Sequence, residues 1–127
     1  MNLEKVIFGF FIVLALTLNF GFFIGDIDNP EHHSIVELFF AIVVNLIATV
    51  LKLGDRSQIG ALLLSTSLVA DLQLIAAAVT WAWVTHVAEA PLDGSPIVVI
   101  VSLSGGALLA NVISVTMVVA ETLMLRR

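Results

Sequence analysis

"IGALLLSTSLVADLQLIAAAVTWAWV", residues 59–84, holds one charged side chain in 26 positions, Asp71. A helix needs about 20 apolar residues to cross a hydrocarbon core of about 30 Å. This stretch is long enough to cross with some tilt. Three more stretches qualify on either side of it, at about 6–24, 34–51 and 97–124. The connectors "GDIDNPEHH", "KLGDRSQ" and "HVAEAPLDGSP" carry Gly, Pro and Asp turn chemistry. The expectation is an all-α bundle of four transmembrane helices, with residues 1–127 as one domain. The first span is expected to be retained: it is too long for a signal-peptide core, and no small-x-small site precedes "GDIDN".

Composition agrees. The chain is 60% hydrophobic and 12% charged, too few charges to cover a soluble domain of this size. It has no cysteine, which excludes disulfides, thiol chemistry and cysteine metal sites. No basic run suggests nucleic acid. No nucleophile–base pair is visible and the three histidines lie outside the spans, so an enzyme is not expected, nor is a cofactor.

Charge placement orients the bundle. All five basic residues, Lys5, Lys52, Arg56, Arg126 and Arg127, fall on one side, while Asp26, Asp28, Glu31, Glu89 and Asp93 fall on the other. The positive-inside rule then puts both termini in the cytoplasm. Trp81 and Trp83 fall at the outer end of span three, where interfacial aromatics are expected. Glu121 is read as an ion-pair partner of Arg126 and Arg127. "AIVVNLIATV" (41–50) and "ALLANVISVT" (107–116) share Ala, Asn and Ile at matching positions, as two related hairpins would.

Residues four apart share a helical face. Span one gives Gly9, Val13, Thr17, Gly21 and Gly25; span two gives Glu37, Ala41, Asn45 and Thr49. Span three gives Gly60, Ser67, Asp71, Ala78 and Thr85; span four gives Ser102, Gly106, Ala110 and Ser114. Such stripes let backbones approach and hydroxyls bond across the gap. They also leave surface for a homo-oligomer contact.

Asp71 falls near the middle of span three, and Asn111 near the middle of span four. Asn45 lies just inside the middle of span two, with Thr49 one turn nearer the cytoplasm. A mid-membrane charge costs roughly 2.5–3.5 kcal/mol on insertion scales. A neutral Asp71 would donate to Asn45 or Asn111 as a structural bond. An ionised one would bind a cation, or load and release a proton. Gln73 points about 160° away from Asp71 and is expected to face another subunit or a partner.

Before span two, Asp26, Asp28, Glu31, His32 and His33 are divalent-metal ligand types, but their spacing matches no defined site. The alternative is turn chemistry: Asn29 or Asp28 as a cap, Pro30 at a first helical position, and Ser34 with Glu37 as a capping box. His86 on the same side leaves a pH-sensitive surface open.

The stretches "NLEKVIFGFF", "NLIATVLKLGDRSQIGA", "SLVADLQL" and "ETLMLRR" resemble a small, uncharacterised family of four-span bacterial inner-membrane proteins. The resemblance covers nearly the whole chain. It implies a bacterial inner membrane and adds no site residues. Fluoride channels, small multidrug transporters and potassium filters fit less well. Their Phe-rich Thr/Ser motif, first-span Glu and TVGYG filter are missing here. Two functions remain as expectations: handling of a small cation or proton, or an accessory role beside a larger membrane partner.

Overall fold

The computed structural model describes residues 3–125 and is helical throughout its regular elements. The helices are α1 (Leu3–Phe23), α2 (Ile35–Lys52), α3 (Gln58–Ala82) and α4 (Ser95–Leu125). A 3-10 turn at Pro30–His32 precedes α2, and a π-helical turn at Trp83–Val87 extends α3. All four helices are long and apolar enough to cross a membrane.

The helix ends follow local chemistry. The Asn29 side chain accepts from the Glu31 N–H with Pro30 in the first turn. Ser34 caps α2 by accepting from Glu37, and Ser57 caps α3 by accepting from Gly60. These bonds meet amide donors that a helix start leaves unpaired. Gly25, expected in the α1 stripe, lies beyond the end of that helix at φ +115°, where a Cβ would meet the Cβ of His32 at 2.6 Å. Its role is the turn.

The helices form a ring in which α1 packs on α2, α2 on α3, α3 on α4 and α4 back on α1. Lys5, Lys52 and Arg56 mark one end, called here the basic end; the connectors at 24–34 and 88–94 mark the acidic end. One apolar cluster fills the acidic half, with Phe22, Leu38, Leu74, Ile97 and Ile100 at its centre. A second, of Phe8, Ile12, Ala48 and Leu63, fills the basic half.

Two placements correct the stripe pattern. The buried face of α1 is Phe8, Ile12, Ala15, Asn19 and Phe22, while Val13 and Thr17 are exposed. On α4, Ser102 is exposed and Ser104, Ala107, Ala110, Asn111 and Ser114 are buried. Lipid is as apolar as Leu, so a spacing of small residues does not by itself fix which face turns inward. Trp83 is exposed, but Trp81 tucks against Phe22 with ring centroids 6.3 Å apart. The paired segments of α2 and α4 match in burial: Ala41 and Ala107 are buried, as are Asn45 and Asn111.

Candidate functional site

Asp71 is 5% exposed and sits between the two apolar clusters. The Thr49 hydroxyl on α2 lies 2.5 Å from its Oδ2 and 2.9 Å from the Asn45 carbonyl. A hydroxyl has one proton to donate. With an ionised Asp71, that proton points to the carboxylate. With a protonated Asp71, the carboxyl donates to Thr49 and Thr49 donates to Asn45. The same atoms therefore accommodate both states by turning one hydroxyl.

The rest of Asp71 lacks donors. Its Oδ1 is buried without a partner, as are Ser67 Oγ one turn earlier, Asn45 Oδ1 and Asn111 Oδ1. Asn45 spends its amide group on the Ala41 carbonyl at 3.1 Å. Asn111 donates instead to Asn19 Oδ1 at 3.1 Å, and Asn19 donates to the Ser104 carbonyl at 2.9 Å. Around Asp71 the polar interior has two bonded sets, one on α2 and α3 and one on α1 and α4, and a hydroxyl pair, Thr66 with Ser114, joins α3 to α4 nearer the basic end. Asn19 is fully buried but escapes a reading based on small-residue spacing; an amide within an apolar run was its available signal.

Register places the two sets together in depth. Thr66 and Ser114 share a hydroxyl hydrogen bond of 2.6 Å, and Gln73 packs against Gly106. Asp71 is then level with residue 109, about 3 Å along the axis from Asn111 at 1.5 Å per residue. Asn45 is one turn from Thr49, about 6 Å toward the acidic end. Asp71, Thr49, Asn111 and Asn19 form the layer, and Asn45 lies at its acidic edge.

Gln73 is half-buried rather than fully outward. It lies in a groove of about 410 Å³ between α3 and α4, lined also by Thr66, Val69, Gly106 and Ala110. Its Oε1 has no partner. Of the remaining stripe, Ala110 and Ser114 are buried, and Gly21 is covered by the Glu37 carboxylate.

At the acidic end, Asp28 and Glu31 are exposed, and Asp26 is exposed beside His32. Among the described residues no three of His, Asp and Glu gather to hold a metal ion. His33 is buried and bonded to backbone carbonyls.

At the basic end, Lys5 pairs with Glu121 at 3.3 Å and Lys52 with Asp55 at 3.4 Å. Arg126 and Arg127, the expected partners of Glu121, lie outside the described residues. Two bonds from Ser57, backbone N–H first and then hydroxyl, hold the Asp55 carboxyl below its ordinary range, with Lys52 adding to the effect. A half-open cavity of about 530 Å³ here is lined by Glu4, Phe8, Lys52, Asp55 and Arg56. Phe8, a member of the basic-half cluster, forms part of its wall.

A four-helix ring with a buried polar layer defines an all-helical protein whose helices are long and apolar enough to cross a membrane. The chain belongs to a family of unknown function, DUF6394, which matches residues 32–122. No curated protein and no solved structure matches the chain.

Proposed function

We propose that the chain is a small multi-pass protein of the bacterial inner membrane that takes up a small cation or a proton at the Asp71 layer. The observation that carries this reading is the surplus of buried oxygens. Asp71, Asn45, Asn111 and Ser67 each present one with no donor. Buried polar atoms without partners are costly. A cation coordinated by oxygens, or a proton on Asp71, supplies what they lack. Asp71 is the charged group, Thr49 the hydroxyl that turns with its state, and Asn45 and Asn111 the neutral ligands. The apolar clusters above and below make this an occluded arrangement, so loading requires one cluster to part. Basic residues at one end support a cytoplasmic placement of both termini.

The test is cation and proton flux into proteoliposomes for wild type and Asp71→Asn, with folding verified for both. Flux that disappears in the variant supports the reading. A second reading has its own observation. The α3/α4 groove holds the unpartnered Gln73 oxygen, as a docking face for a larger membrane protein would. Folded wild type without flux shifts the weight there, and cross-linking from position 73 in native membranes tests it.

A further inference from the structure

His33 is 2% exposed at the junction of the acidic connector and α2. Its Nδ1 lies 2.6 Å from the Phe22 carbonyl, and its Nε2 lies 2.8 Å from the Asp26 carbonyl. Carbonyl oxygens only accept. A neutral imidazole has one N–H and one lone pair, whereas an imidazolium has two N–H donors. Both contacts are made together only by the protonated ring.

Its neighbour has the opposite requirement. His32 Nδ1 accepts the Asp26 N–H at 2.8 Å, so that nitrogen carries no proton. The two rings grip the same residue, Asp26, from its N–H and its carbonyl. Protonation favours the His33 contact and opposes that of His32.

We propose that His33 is a proton-operated clamp that ties the end of α1, through Phe22 and Asp26, to the start of α2. The charged and titratable groups on the packed segments are Asp26, Asp28, Glu31 and His32 on the connector and Glu37 in the first turn of α2. The neighbouring connector carries His86, Glu89 and Asp93, and the end of α1 carries none. The clamp acts on a sensitive point, because the Phe22 ring packs tilted against His33, centroids 5.6 Å apart, and belongs to the cluster on the acidic side of the Asp71 layer. The clamp itself does not rest on ion handling at Asp71.

The experiment uses the full chain in lipid nanodiscs with nitrogen-labelled histidine. Ring nitrogen spectra and amide exchange at residues 24–33 are followed from about pH 8 to about pH 5, where imidazoles titrate. The expected result is a His33 ring that gains a second N–H on acidification. In the same interval, connector exchange corrected for intrinsic rates slows about tenfold at every amide but that of Asp26, which loses its His32 acceptor, as charge-assisted hydrogen bonds form at His33. His33→Phe keeps a ring and should lose this pH dependence, leaving exchange fast throughout; His32→Phe should retain it. A His33 ring whose protonation does not change across the interval overturns the proposal. So does a folded His33→Phe chain with the wild-type pH dependence. The wild-type ring spectra decide alone if that variant does not fold.

Discussion

Thr49 holds a single hydroxyl proton between two acceptors, the Asp71 carboxyl and the Asn45 carbonyl. Removing it with Thr49→Val should lower stability by about 1 kcal/mol, the usual scale of a hydrogen bond between helices in a membrane. A double-mutant cycle with Asp71→Asn in a reversible unfolding assay measures their coupling. Additive losses would mean that the pair does not interact. Asn19→Leu should cost about 1–2 kcal/mol in the same assay, because it strands the buried Asn111 amide. At this scale the sequence was legible in part. Asp71, Asn45, Asn111 and Thr49 stand out because polar groups are rare in apolar spans, and all four are buried. What spacing could not give was who bonds to whom. Asn111 turns to Asn19 on α1, a pairing set by the meeting of α1 and α4 and by no local pattern.

Close helix contacts differ in how much they can yield. A Cβ at Gly105 would meet the Phe23 ring at 2.8 Å. At Gly21 the obstacle is the far end of the Glu37 side chain, which can swing away. Gly105→Ala should therefore destabilise by about 1–3 kcal/mol, the scale of overpacking, and Gly21→Ala by clearly less. Equal losses in unfolding would contradict this packing. The turn between α2 and α3 should depend on acid. The Asp55 carboxyl is held below its ordinary value of 3.8, so its contribution is full above that value and lost as pH falls through the lowered one. Amide exchange at Ser57 and Gly60 should quicken there, and Asp55→Asn should blunt the change. The helices were readable to within a few residues because length, apolarity and turn residues are local properties. The inward face of α1 was not. When both core and surroundings are apolar, periodicity carries little information about which side is buried.

The four helices close into a ring around one polar layer with apolar clusters on either side. In the proposed setting, Lys5, Lys52 and Arg56 face the cytoplasm. The sequence has no cysteine, so single-cysteine variants report side directly. Glu31→Cys should react with an impermeant thiol reagent added outside intact cells, and Gly54→Cys only after permeabilisation. The reverse pattern would invert the bundle. The proposed role of Asp71 stands or falls on flux in proteoliposomes. Wild type should carry a cation or proton flux that is lost in a folded Asp71→Asn protein. Undiminished flux in that variant, or none from folded wild type, would contradict it.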